Sequence, residues 1–244
     1  MKNYGLIGKT LGHSFSKKHF EDNYSFNSQG MPTYQLFELP NLIGVRDWAT
    51  KNHISGFNVT IPFKSEIIPF LDELDPLAEK IGAVNCVKLV ENQNQLYLKG
   101  YNTDYLAFEQ SLSTFLNILP NRVLILGTGG SSKMVQTFFL EKKILFDVVS
   151  RDLDKGKIYS SLNQTIEKYQ LIVNTTPLGM FPNVHQKPDI PYHELTEFHH
   201  LYDLIYNPVE TQFLKMGKNQ KCHIKNGQEM LSLQADFSWQ IWKL

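Results

Sequence analysis

The stretch Asn121 to Asp152, NRVLILGTGGSSKMVQTFFLEKKILFDVVSRD, decides the fold. Val123 to Leu126 is a short apolar run, the pattern of a strand covered on both faces of a parallel sheet. Gly127-Thr128-Gly129-Gly130 interrupts it. Ser131 to Lys142 then sets Met134, Val135, Phe138 and Phe139 along one side of a helix. Phe146 to Ser150 is the next strand. A glycine-rich turn between a strand and a helix lets backbone N–H groups and the positive helix end come close to a pyrophosphate. In the fingerprint G-x-G-x-x-G the third glycine falls on Ser132, a small residue kept where helix and strand must touch. The same turn also occurs in folds that bind no nucleotide, so by itself it leaves both readings open.

The end of the second strand adds to the reading. An acidic residue there bonds ribose hydroxyls and suits NAD, whereas an arginine suits the 2′-phosphate of NADP. Ser150-Arg151 favours NADP. Lys155 would attract that phosphate, and Asp152 and Asp154 would repel it.

The 244 residues are long for one ordinary domain and comfortable for two modest ones. A hydrophobic fraction of 42% is enough for a proper core. Lys plus Arg and Asp plus Glu both number 24, so no basic field points to nucleic acid or an anionic membrane. Cys86 and Cys222 lie far apart, which fits a reducing compartment and two small core residues, not a disulfide framework. The opening Met1 to Lys9 has too short an apolar run for a signal peptide, and no apolar span reaches membrane length. The expectation is a cytoplasmic protein. Eight histidines include no H-E-x-x-H, and adjacent His199-His200 point to different faces of any element, so no metal site is expected.

Outward from the central stretch, strands alternate with helices. Strands are expected at Tyr4 to Gly8, Tyr34 to Glu38 and Ile54 to Asn58, with helices from Ser16 to about Asn27 and around Ile43 to Lys51. Pro62 cannot donate a ladder bond, so Asn58-Val59-Thr60-Ile61-Pro62-Phe63-Lys64 ends the third strand and gathers polar residues at its carboxyl end. Pro76 to Ile81 reads as helix and Gly82-Ala83-Val84-Asn85 as turn. Cys86 to Val90 and Gln95 to Lys99 form a hairpin, and Tyr105 to Leu119 a long helix closed by Pro120. Beyond Asp152, Leu171 to Asn174, Leu201 to Ile205 and Cys222 to Ile224 are strands. Glu210 to Lys218 and Gln228 to Trp242 are helices, and Pro182 to His200 is loop with a short helix. The expected fold class is α/β with two α/β domains. The first comprises residues 1–104, completed by the C-terminal helix in 227–244; the second is a Rossmann-type dinucleotide-binding domain over 105–226.

Eight stretches in register resemble the shikimate dehydrogenase family: His13-Ser14-Phe15-Ser16, the Asn58 to Lys64 run, Gly82 to Asn85, Asn102-Thr103-Asp104, Gly127 to Ser132, Asn174-Thr175-Thr176-Pro177-Leu178-Gly179-Met180, Asp203-Leu204-Ile205-Tyr206-Asn207-Pro208, and Asn226-Gly227 with Gln234. The resemblance implies an NADP-dependent enzyme reducing 3-dehydroshikimate to shikimate in aromatic amino-acid biosynthesis, with a small molecule as partner and a monomer or homodimer as its state. It implies that Lys64 and Asp104 are a catalytic pair, and that Ser14, Ser16, Thr60, Asn85, Tyr206 and Gln234 meet the substrate. It makes Gly127, Thr128, Gly129, Gly130, Ser131, Ser132, Ser150, Arg151, Lys155, Thr175, Met180 and Gly227 cofactor positions. Two departures stand out. Lys17 follows the second serine where the family commonly has proline, and Ser150-Arg151-Asp152 replaces Asn-Arg-Thr, which opens the strictness of NADP preference to question.

Reducing a ring ketone builds negative charge on oxygen, which a positioned lysine ammonium stabilises while delivering a proton. Asp104 would orient that lysine and bind a substrate hydroxyl. Without the resemblance Lys64 reads as a surface lysine, Asp104 as the N-cap of a helix starting at Tyr105, and Ser14 and Ser16 as turn and cap residues. Asp104 as cap and catalyst together is compatible with both readings. His13 reads as structural. Use of quinate or NAD, and a non-catalytic dinucleotide-sensing module, are the alternative functions.

Overall fold

The computed structural model describes residues 2–12, 15–92, 95–152, 154 and 156–244. The chain forms two compact units, residues 1–106 with 232–244 and residues 107–231.

In the first unit β1 (Asn3–Gly8), β2 (Thr33–Glu38) and β3 (Ile54–Val59) run parallel, and β4 (Glu73–Leu74), β5 (Cys86–Asn92) and β6 (Gln95–Tyr101) complete a sheet in the order β2-β1-β3-β5-β6-β4. β5 is antiparallel to both β3 and β6, so the expected hairpin closes the sheet beside the third strand. Because side chains alternate along a strand, each face acquires its own core. Ile7, Phe57, Val59 and Val87 pack with Val45 and Ala49 of α2 (Val45–Lys51) and Ala78 of α3 (Pro76–Ile81). Tyr4, Leu6, Tyr34 and Cys86 pack with Phe20 of α1 (Ser16–Tyr24) and Trp242 of the last helix.

α1 is shorter than the reading to Asn27. Ser25 and Asn27 take left-handed backbone (φ 55° and 61°), and Asn27 N donates to Pro32 O at 2.8 Å instead of extending the helix. Ser16 does not cap α1 either. The cap position falls on Phe15 and has no side-chain bond, which leaves Ser16 as the first helical residue.

The second unit holds β7 (Arg122–Leu126), β8 (Leu145–Val149), β9 (Leu171–Asn174), β10 (His200–Asp203) and β11 (His223–Lys225) in one all-parallel sheet ordered β11-β10-β9-β7-β8. Leu124, Leu126, Ile172 and Leu201 face Leu162, Ile166 and Phe213 on one side. Tyr202, next to Leu201, points the other way, where its ring stacks on Phe108 at 5.6 Å and Phe108 meets Phe138 edge-on. Among the described residues α5 (Gly130–Glu141) and α6 (Gln212–Asn219) are the α-helical connections, and short 3-10 turns lie at Tyr159–Leu162, Ile166–Lys168 and Tyr192–Glu194 in the others.

Two longer helices carry the chain between the units. α4 (Thr103–Phe115) leaves the first unit after Leu106, and α7 (Gln228–Lys243) re-enters it at Ser232. Its C-terminal end is seated by shape. A Cβ on Gly56 of β3 would lie 2.4 Å from Trp242 Nε1, so the glycine opens a slot for the indole, whose Nε1 donates to Val87 O at 3.0 Å. Among the described residues no helix is long and apolar enough to cross a membrane.

Candidate active site

The first unit assembles a polar cluster from four separate stretches. The turn after β3 is pinned into the core by Phe63 (2% exposed) and Ile67 (0%), and Lys64 lies between these anchors. Phe63 N donates to Thr60 O and Val84 N to Lys64 O, tying the turn to Gly82–Asn85. Lys64 Nζ thereby reaches Asp104 Oδ2 at 2.6 Å, with the two side chains only 16% and 8% exposed.

Asp104 is free to accept that bond because it does not cap its helix. α4 starts at Thr103, two residues before the expected Tyr105, and Asn102 Oδ1 accepts from Tyr105 N at 3.2 Å. With the cap supplied by Asn102, the Asp104 carboxylate bridges Lys64 and Asn85, whose Nδ2 donates to Oδ1 at 2.9 Å. The helix also ends at Phe115, short of Leu119.

Asn85 is the hub. Its Oδ1 accepts from Thr103 N at 2.7 Å, and its Nδ2 also donates to Thr103 Oγ1 at 2.9 Å and lies 3.4 Å from Gln234 Oε1. Thr103 Oγ1 donates to the Gln234 carbonyl at 3.0 Å. Asn58 Nδ2 supports the hub from below, donating to Asn85 O and to Ser238 Oγ, while Tyr34 donates its hydroxyl to Asn58 Oδ1. Thr103, Asn58 and Ser238 are members of the network beyond the residues expected from sequence. Asn58 and Thr103 stand inside two of the eight stretches, and Ser238 stands one helical turn after Gln234 on the same face of α7. Ser16 is buried near this network and hydrogen-bonds the Tyr34 phenol. Thr60 is half-buried at the start of the Lys64 turn. Ser14 lies outside the described residues, as does Lys155.

In the second unit β8 and β9 flank β7 on opposite sides, so the chain order reverses at the β7–β9 pair, where open α/β sheets bind ligands. The turn after β7 sits there. Gly127 has φ +109°, and a Cβ on it would lie 2.8 Å from Thr175 Oγ1 and 2.9 Å from Thr176 Cγ2. Only glycine fits. Gly129 is extended, and a Cβ on it would meet nothing within 4 Å. α5 begins at Gly130 with no side-chain cap, so its first N–H groups are not taken by a capping side chain. This turn fits a pyrophosphate. Thr128 and Ser131 are half-buried along it. Ser132 is fully buried, donating to Gly127 O at 2.6 Å and accepting from Gln136 Nε2, so it braces the turn from behind.

The Ser150-Arg151-Asp152 loop is stapled back onto β8, because Ser150 N donates to Lys157 O and Lys157 N to Val148 O. Arg151 is exposed, Ser150 is buried and accepts from Asp152 N, and Asp152 Oδ1 accepts from Asp154 N at 3.2 Å. Thr175 spends its hydroxyl on Leu126 O at 2.6 Å, and Met180 is exposed at the end of its turn. Tyr206 is half-buried in the loop after β10. Gly227 answers to a close backbone approach, since a Cβ would lie 2.2 Å from Leu204 O. Among the described residues no group of three or more His, Cys, Asp or Glu is placed to hold a metal.

Residues 6–87 match the family model described as the shikimate dehydrogenase substrate binding domain. A curated relative named shikimate dehydrogenase (NADP(+)) from Methanococcus maripaludis is 38% identical, over 98% of this chain and 90% of its own. The crystal structure of shikimate dehydrogenase 1 from Peptoclostridium difficile superposes with a TM-score of 0.85 at 33% identity, covering 100% of this chain and 92% of that one. The Thermus thermophilus shikimate 5-dehydrogenase in complex with NADP(H) and shikimate has a TM-score of 0.80 at 26% identity, covering 99% and 93%.

Proposed function

The chain belongs to the shikimate dehydrogenase family, and we propose that it interconverts 3-dehydroshikimate and shikimate with NADP(H). The first unit binds the substrate and the second the cofactor. The observation that carries this reading is the Lys64–Asp104 pair, held in a largely buried polar cluster with Asn85 and Gln234.

NADP(H), when bound, supplies or takes the hydride. The residues of the chain manage the proton and the charge. In the reducing direction the Lys64 ammonium donates a hydrogen bond to the ketone oxygen, stabilises the charge that develops there and passes it a proton. In the oxidising direction the neutral amine takes the hydroxyl proton. Asp104, fixed by Asn85 on one oxygen, aims Lys64 with the other and accepts from a substrate hydroxyl. Ser14, Ser16, Thr60, Asn85, Tyr206 and Gln234 offer donors and acceptors to the substrate carboxylate and hydroxyls. The Gly127–Ser131 turn and the N-terminus of α5 would hold the pyrophosphate, and Arg151 would supply the cation for the 2′-phosphate.

Asp152 next to Arg151 favours relaxed discrimination between NADP and NAD, because it adds a negative charge to the loop that carries the arginine. Initial rates of cofactor reduction with shikimate and with quinate, each with NADP and NAD, test the proposal. NADP reduction by shikimate is the expected result. No reduction with either acid and either cofactor at any pH would leave a dinucleotide-sensing module instead.

A further inference from the structure

A buried carboxylate stands at the carboxyl end of β10 without a cation. Asp203 is 0% exposed, and among the described residues no salt bridge reaches it. Isolating an ionisable group in the interior is costly unless its hydrogen bonds compensate, so the segments that bond it are held in place by that requirement. Three segments converge on it. Asn174 Nδ2, at the end of β9, donates to Oδ1 at 3.0 Å, and Ile205 N donates to the same oxygen at 3.1 Å. Thr211, the N-cap of α6, donates its hydroxyl to Oδ2 at 2.5 Å.

The bonds continue outward from Asn174. Its Oδ1 accepts from Thr176 N at 3.0 Å and from Thr176 Oγ1 at 2.7 Å, and Thr176 Oγ1 accepts from Leu178 N at 3.2 Å. Thr175 and Thr176 are the residues against which Gly127 is packed, close enough that a Cβ on that glycine would strike both. On the other side Gly179, with φ +100°, folds its turn over Thr211. An unbroken chain therefore runs from Asp203 through Asn174 and Thr176 to the glycine turn.

We propose that Asp203 is a positioning residue for dinucleotide binding, setting the Asn174–Met180 loop and, through Thr175 and Thr176, the glycine turn after β7. It touches neither substrate nor cofactor itself. The inference rests on the cofactor reading given above. Asn174 could not hold Thr176 in this register with its amide unanchored, because both ends of the side chain are used at once.

The test is direct NADPH binding, read by cofactor fluorescence and independent of turnover, alongside steady-state constants for both substrates. Asp203→Ala should weaken NADPH by about tenfold, the loss of roughly one buried hydrogen bond in positioning. The KM for shikimate should stay within about twofold, since that ligand meets other loops. Asp203→Asn, which keeps an acceptor for Asn174 and Ile205, should recover most of the affinity. Thr176→Val breaks the chain while leaving the carboxylate intact, and should also weaken NADPH, so the test survives if Asp203→Ala does not fold. Affinity for NADPH unchanged in the folded fraction of Asp203→Ala, or in Thr176→Val, would overturn the inference alone. A wild-type protein that binds no NADPH would overturn the cofactor reading and this inference with it.

Discussion

Lys64 Nζ and Asp104 Oδ2 are 2.6 Å apart although 40 residues of chain separate them. The approach is set from both sides. Phe63 and Ile67 bury the turn that carries the lysine, and Asn85 holds the second carboxylate oxygen. A pair this close and this shielded keeps the ammonium in one place, which proton transfer requires.

Replacing Lys64 by alanine should lower turnover by about 10²–10⁴-fold while leaving the KM for shikimate nearly unchanged, as expected when a proton-transfer group is removed. Steady-state rates of NADP reduction measure both. Turnover close to wild type would make Lys64 only a partner of the Asp104 charge.

Asn85→Ala removes the hub that serves Thr103 and Asp104 together. Thr103 N and Asp104 Oδ1 then lose partners in a buried setting, a cost of about 1–3 kcal/mol in unfolding free energy. Turnover should fall as well, because Asp104 loses the bond that orients it. Urea titration paired with kinetics reads the two effects; intact stability would show that the cluster rearranges around the gap.

The two glycines of the β7 turn should behave differently. Gly127→Ala forces a side chain onto φ +109° against Thr175 and Thr176, costing about 1–3 kcal/mol. Gly129→Ala meets nothing within 4 Å on an extended backbone, so the melting temperature should hold while NADP affinity drops. Unchanged cofactor affinity in Gly129→Ala would move the pyrophosphate away from this turn.

Asp152→Asn keeps the oxygen that accepts from Asp154 N, so the loop retains its turn while losing a negative charge. Affinity for NADP should rise by up to about fivefold, the worth of about 1 kcal/mol of repulsion relieved in water. NAD should change less. Equal gains for both cofactors would place Asp152 away from the 2′-phosphate.

Burial pushes the Asp203 carboxyl up to about 7, against the opposing pull of bonds from Thr211, Ile205 N and Asn174. A carboxyl raised in the folded state contributes stability below the ordinary carboxylate range, and that contribution is lost as pH rises through about 7. Between about pH 5.5 and about pH 8 the wild type should therefore lose on the order of 1–4 kcal/mol relative to Asp203→Asn. Urea unfolding of both proteins at the two pH values gives the difference; parallel stabilities would mean that Asp203 does not titrate in this window.

The order of strands and helices was legible because apolar periodicity and breakers act locally. Val123 to Leu126, the glycines after it and Pro76 behind Asp75 each state their element within a few residues. Errors arose where neighbours compete for one role. Asn102 and Asp104 are both good helix caps, and only the packed turn shows that Asn102 takes it and releases Asp104 to Lys64. Similarly, nothing near Gly56 announces the Trp242 indole that lies on it.

The sequence by itself determined an α/β fold of two α/β domains, a glycine turn at the head of a parallel sheet, and a family through eight stretches in register. Tertiary structure alone decided that Asn85 would be the hub of the polar cluster and that Asp203 would be buried on bonds from Asn174, Ile205 and Thr211. The physical reason is range. Helix and strand periodicity repeats over a few residues and can be read along the chain, whereas the partners of a buried polar atom come from stretches that meet only after the cores on both faces of each sheet have closed.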